Sequence, residues 1–243
     1  MAKSIEDPKE IFPEITADYK GRFGDDLVSI ILYGSATGPD YRAGKSDINF
    51  MILLTERGID HLEEAFEVVK KWQKRSVAIP LFLTESYVET STDVFPIEYL
   101  NFQRKHILVF GKDILKDLAF DPEDLRQQCE REIKGKLLLL RQAYLERTGK
   151  GKALKEVIRQ SLGAFVAIFE VLLYLKGQDS PAEKRATVRA TAEAFNMDAE
   201  LFERLFDIKE DKAKLDDTAL RKLYRGYLRE VRNLARLVDT LEG

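Results

Sequence analysis

The stretch from Leu27 to Leu54 constrains this chain more than any other. An apolar run, Leu27-Val-Ser-Ile-Ile-Leu-Tyr33, ends at Gly34-Ser35, and a connection holding Gly38, Pro39 and Gly44 follows. A second run opens with Lys45-Ser46-Asp47-Ile48-Asn49 and continues to Leu54. Short runs rich in Ile, Leu and Val, bounded by turn residues, predict buried strands over 27–33 and 47–54. Side chains alternate along a strand, so Asp47 and Asn49 are expected on one face.

That arrangement has a chemistry. Glycine has no Cβ, so backbone at Gly34 can approach a ligand closely. The Ser35 hydroxyl and neighbouring amides offer donors to phosphate oxygens. Oxygen ligands at 47 and 49 suit Mg²⁺, which takes a few carboxylates together with phosphates and water. The plain alternatives are an ordinary turn at Gly34-Ser35, a turn cap at Asp47, a structural amide at Asn49, and solvated loop charges at Arg42 and Lys45.

Strand, Gly34-Ser35, glycine-rich connection, Ser46-Asp47-Ile48-Asn49, strand: this order resembles the polymerase-β-like nucleotidyltransferase superfamily, whose signature is Gly-Ser followed by Asp-x-Asp. The resemblance implies that Gly34 and Ser35 hold a triphosphate tail. Asp47 and Asn49 would be the catalytic metal ligands, Ser46 would orient the site, and Arg42 and Lys45 would meet phosphate. Asn49 stands where the superfamily has its second aspartate. Phe82, in the apolar run 77–83, stands where the third carboxylate is expected, and Glu85, Asp93 and Glu98 lie nearby without a matching motif. Mg²⁺ would then be held weakly, with help from the nucleotide's own phosphates. The implied activity is transfer of a nucleoside monophosphate, AMP first, from a Mg²⁺-bound nucleoside triphosphate to a hydroxyl of an unidentified small-molecule or protein acceptor. Two rival readings stay open: a non-catalytic nucleotide- or partner-binding member of the family, and an antitoxin-like transferase that modifies proteins. A homodimer is also left open.

The expected fold is α+β, a mixed sheet with helices over 1–118 followed by an all-helical bundle over 119–243. The first part reads as a helix over 8–23, the two strands, an amphipathic helix over 59–72, and a third strand over 77–83. Pro80 lacks a ladder donor and favours a sheet edge. Phe95-Pro96 can open a helix, and Val109-Phe110-Gly111 is a short apolar piece ending in a turn. After Phe120 only helical periodicity appears, opening with the acidic and proline-bearing start Asp121-Pro122-Glu123-Asp124. The expected helices are 122–147, 152–176, 181–195, 198–208 and 216–241, with breaks at Gly149, Gly151 and 177–181. This two-part layout resembles aminoglycoside nucleotidyltransferases.

Within the bundle, 137–140 and 162–175 are read as core. Glu170 sits inside the second run, where a carboxylate must find a partner or shift its protonation. It is a candidate general base, with Glu130 and Glu132 as competitors; the plain alternative is pairing with Arg141 or Arg159. Residues 120–243 contain no histidine, which disfavours the Arg-x4–6-His ribonuclease motif of some helical partners of these transferases.

Composition closes off other classes. A net charge of −3 argues against binding a long nucleic-acid template. One cysteine, Cys129, allows no intrachain disulfide or cysteine zinc cluster, and two histidines make a histidine-rich metal site unpromising. The amino-terminal residues carry acids without an apolar core, unlike a signal peptide. The run 157–175 contains Arg159, Gln160 and Glu170 and reads as too polar for a membrane span. The expectation is a cytoplasmic protein without membrane contact.

Overall fold

The computed structural model describes residues 5–146 and 151–241. The chain divides into two compact units, Met1–Ala119 and Phe120–Gly243. The fold is α+β, with a mixed sheet in the first unit and helices in the second.

In the first unit a 3-10 turn, Pro8–Ile11, leads into α1 (Phe12–Phe23). Strand β1 (Leu27–Tyr33) runs antiparallel to β2 (Asn49–Leu54), with Tyr33 opposite Asn49. The β2 ladder thus begins two residues later than the sequence predicts. Ile48 still bridges Val77, and Ile48 and Phe50 are both fully buried, so 47 and 49 flank a core-facing residue.

The expected helix over 59–72 is broken. A short α2 (Glu56–Ile59), capped by Thr55, is followed by a 3-10 turn, Leu62–Ala65, and then α3 (Phe66–Gln73). The buried positions are Ala65, Val68 and Trp72, while Phe66 is 68% exposed. The tighter 3-10 turn rotates the later side chains away from the 3.6-residue pattern.

β3 (Leu81–Leu83) is shorter than expected and sits at the sheet edge, directly after Pro80. α4 (Glu85–Glu89) is capped by Thr84, whose Oγ1 accepts from the Tyr87 amide at 3.2 Å. α5 (Pro96–Arg104) opens at Pro96, and the apolar piece near Val109 is a full strand, β4 (His106–Gly111). The order is β3-β2-β1-β4, with β2–β3 parallel and the other pairs antiparallel. Gly111 has φ +81°, and a Cβ there would run into the Val28 carbonyl, so only glycine closes this corner. One sheet face packs Ile30, Leu32, Phe50 and Ile52 against Ile15, Tyr19 and Trp72. Burying each such side chain contributes roughly 1.5–3 kcal/mol.

The helical unit contains α6 (Pro122–Glu146), α7 (Gly151–Leu175), α8 (Lys184–Ala194), α9 (Ala199–Lys209) and α10 (Asp217–Asp239). The expected break at Gly149 and helix end at 147 lie outside the described residues. α8 starts three residues after the predicted 181; Thr187 Oγ1 donates to the Pro181 and Glu183 carbonyls at 3.1 and 3.2 Å, satisfying the turn before it. α10 buries Leu220, Tyr224, Tyr227, Val231, Leu234 and Val238 at helical spacing. Tyr224 donates to the Leu140 carbonyl at 2.8 Å, joining α10 to α6.

One expectation fails here for a geometric reason. Leu137 and Leu140 are buried, but Leu138 and Leu139 are 58% and 65% exposed, because four consecutive helical residues cannot face one way. By length and composition α7 is long and apolar enough to cross a membrane. In the fold it is a core helix, burying Leu154, Ile158, Leu162, Phe165, Phe169 and Leu172.

Candidate functional site

β1 delivers Gly34 to the mouth of the β1–β2 hairpin. Its φ of +79° is a left-handed conformation that other residues adopt only with strain. The turn Gly34–Thr37 is held by Thr37 Oγ1 donating to the Gly34 carbonyl at 2.8 Å. A Cβ on Gly34 would sit 3.6 Å from Asn49 Nδ2, so the Gly-Ser turn and the start of β2 are neighbours.

The rest of the loop is shaped by its backbone. Tyr41 Oη donates to the Ile5 carbonyl at 2.7 Å. The Lys45 and Ser46 amides donate to the Arg42 carbonyl, and Ser46 Oγ accepts from the Arg42 amide at 3.1 Å. Ser46 thus helps to shape the loop. Among the described residues the side chains of Ser35, Arg42, Lys45 and Asp47 have no hydrogen-bond or ion-pair partner, and Arg42, Lys45 and Asp47 are exposed. Asn49 is half-buried and its Nδ2 donates weakly to the Asp47 carbonyl at 3.5 Å.

Phe82 corrects the expectation for a third carboxylate. It pairs in register with Ile52, which faces the core. Its ring meets Tyr19 edge-on at 6.0 Å and Phe23 at 6.4 Å. The β3 positions on the Asn49 side are instead Leu81 and Leu83, aligned with Met51 and Leu53. Both are apolar. Glu85 is tied to Lys112 at 2.8 Å, and Asp93 is exposed.

A carboxylate-held magnesium pair needs several hard, charged oxygens on one face. This site offers Asp47 and the neutral amide of Asn49. Among the described residues no group of three or more His, Cys, Asp or Glu side chains is placed to hold a metal ion. The residues present do not fit such a centre.

Sequence reasoning singled out Asn49 but not Tyr33 and Phe102 beside it. Tyr33 stands opposite both Asn49 and His106, and its ring lies 4.7 Å from Phe102. Burial raises the Tyr33 pKa above its ordinary value. His106 Nε2 lies 3.1 Å from the Asp113 carboxylate, and its Nδ1 faces the Phe102 and Gln103 carbonyls at 3.0 Å. The position of His106 directly after α5 was the available signal.

Glu170 is 6% exposed within α7. Arg159, one of its expected partners, pairs with Asp211 and, at 3.7 Å, with Glu156. Lys134 and then Arg126 hold the Glu130 carboxyl down at about 2, which makes it a poor base, and Glu132 is paired with Lys136 at 2.6 Å.

No family model and no curated protein matches the sequence. Among solved structures the chain is similar to spectinomycin adenyltransferase AAD(9) from Enterococcus faecialis, crystallised with ATP and spectinomycin. The match covers 90% of this chain and 99% of that one, at 13% identity and a TM-score of 0.49.

Proposed function

We propose that this chain binds a nucleoside triphosphate at the Gly34-Ser35 turn and does not transfer the nucleotide. The observation carrying the proposal is the pairing of Gly34, at φ +79° and beside Asn49, with unpartnered Ser35, Arg42 and Lys45 side chains on the same hairpin loop. A polyphosphate tail approaching Gly34 meets no Cβ, finds the Ser35 hydroxyl as donor, and has two cations within the loop. Transfer of AMP to a hydroxyl, which the sequence resemblance implies, calls for charged oxygens on β2 and β3. Asn49, Leu81 and Leu83 stand there, which supports binding without transfer.

Calorimetric titration with ATP tests this. Wild type is expected to bind saturably, and Gly34→Val, with a branched side chain at the phosphate approach, to bind at least tenfold more weakly while keeping its circular dichroism. Unchanged ATP affinity in a folded Gly34→Val protein would remove the turn from the site.

A further inference from the structure

The helical unit carries a second concave site, remote in sequence from the hairpin loop. A cavity of about 380 Å³ is lined by Asp198, Glu200, Leu201 and Arg204 of α9 and its cap, and by Lys222, Leu223, Arg225, Gly226 and Arg229 of α10. That volume is in the range of small-ligand pockets. Positions 222, 225, 226 and 229 recur at helical spacing, so they form one face of α10. Gly226 provides the floor: a Cβ there would run into Leu201, so the glycine lets α9 approach α10 closely.

The charges are arranged in an order. The Asp198 amide donates to Glu230 Oε2 at 3.2 Å, and Leu201 sits against Gly226, so α9 and α10 run antiparallel. Arg204 therefore lies at the Lys222 end and Asp198 at the Arg229 end. Among the described residues Arg204, Lys222 and Arg225 have no ion-pair or hydrogen-bond partner, whereas Arg229 is 3.3 Å from Glu230. Arg204 and Lys222 thus lie at one end of the groove and Arg225 beside Gly226 at its middle. The Glu200 carboxylate lies at the Leu201 level and Asp198 at the far end, where one Asp198 oxygen accepts from the Leu201 amide at 2.9 Å and the other is left as an acceptor. Like charges left facing one another without partners cost free energy unless an anion joins them.

We infer that this groove binds a phosphorylated polyhydroxy compound, with the phosphate at Arg204, Lys222 and Arg225 and the hydroxyls toward Asp198 and Glu200. Cations present several N–H donors to phosphate oxygens, and carboxylates accept from sugar hydroxyls. The acids and the small volume disfavour a long polyanionic strand, whose phosphates would pass both ends.

The test titrates the full chain with ribose 5-phosphate, glucose 6-phosphate and glycerol 3-phosphate, and separately with ribose and inorganic phosphate. The hairpin loop can also take a phosphate, so the groove is told apart from it by the double variant of Lys222 and Arg225. The inference expects at least one phosphorylated polyol to bind at least tenfold more tightly than either half. It also expects the exposed double variant Lys222→Gln, Arg225→Gln to lose at least tenfold in that affinity while its ATP affinity is unchanged. Three results would overturn it: no binding by any of the three esters, inorganic phosphate binding as tightly as the best ester, or affinity untouched by the double variant.

Discussion

Around Arg185 in the helical unit, charge holds structure together; in the hairpin loop of the first unit, it does not. Arg185 reaches Glu203 at 2.6 Å, Asp207 at 2.9 Å and Glu210 at 3.1 Å, and lies over the Phe206 ring at 5.3 Å. Arg42, Lys45 and Asp47 have no such partners among the described residues, and their loop is fixed by backbone and Ser46 hydrogen bonds instead. A loop shaped by its backbone keeps its side-chain charges available to a ligand. That contrast separates charges used for stability from charges available for binding, and each side of it can be broken.

The largest effect is expected from Phe82→Glu. The family pattern would make this a gain of metal ligand, but Phe82 faces Tyr19 and Phe23. A carboxylate there loses two ring contacts and places a charge against the apolar core, so urea unfolding should show a loss of about 2–4 kcal/mol. Stability within error of wild type would place residue 82 on the other face of the sheet.

Next comes the charge contrast itself. Arg185→Ala leaves Asp207 without its cation, beside Glu203 and Glu210, which keep Arg189 and Lys212. Each carboxylate keeps some solvent access, which screens the repulsion and holds the expected loss to roughly 1–2 kcal/mol. Arg42→Ala with Lys45→Ala should change stability by less than about 0.5 kcal/mol, as exposed and unpaired positions do. The same double variant should weaken ATP binding about tenfold, the scale of losing charge-assisted hydrogen bonds to phosphate. Equal destabilisation by the two sets of substitutions, read by thermal melting, would erase the distinction.

Acid should act on paired carboxylates first. Hydrogen bonds from Arg126 and Gln127 hold Glu123 at about 2, and Lys134 and Arg126 hold Glu130 at about 2, both below 4.5. A carboxyl with a depressed folded pKa contributes stability that is fully present above the unfolded value. It is lost as pH falls through the folded value. Unfolding of the helical unit should therefore become easier between about pH 4.5 and about pH 2. Arg126→Ala should flatten that dependence in acid titration followed by circular dichroism.

Much of the sheet was legible because β1 and β2 are short and apolar and β1 lies between Gly24 and Gly34. The pairing of Tyr33 with Asn49 was not predicted, since the long loop between the strands does not fix their register. Three kinds of information were not local. The 3-10 turn at Leu62–Ala65 changed which residues of the next helix face inward. The face of Phe82 depends on its register with Ile52, which periodicity within 77–83 cannot supply. The groove between α9 and α10 needs Gly226 against Leu201, a contact between residues far apart in sequence.

The smallest expected effect is that of Asn49→Asp. A second carboxylate beside Asp47 should give ATP binding a few-fold dependence on Mg²⁺, since two oxygens on one strand are a minimal cation site. Nucleotide transfer should still be absent, because Leu81 and Leu83 add no ligand. Radiolabel transfer from ATP by this variant would show that the missing charge at 49 was the sole defect.

The central claim, binding at the Gly34-Ser35 turn without a carboxylate-held metal, is tested most directly by titrating the wild-type chain with ATP in EDTA and again in excess Mg²⁺. The account predicts saturable binding in both, with affinities within about threefold, since Ser35, Arg42 and Lys45 meet the phosphates themselves. Binding that appears only with Mg²⁺, accompanied by release of pyrophosphate, would contradict it.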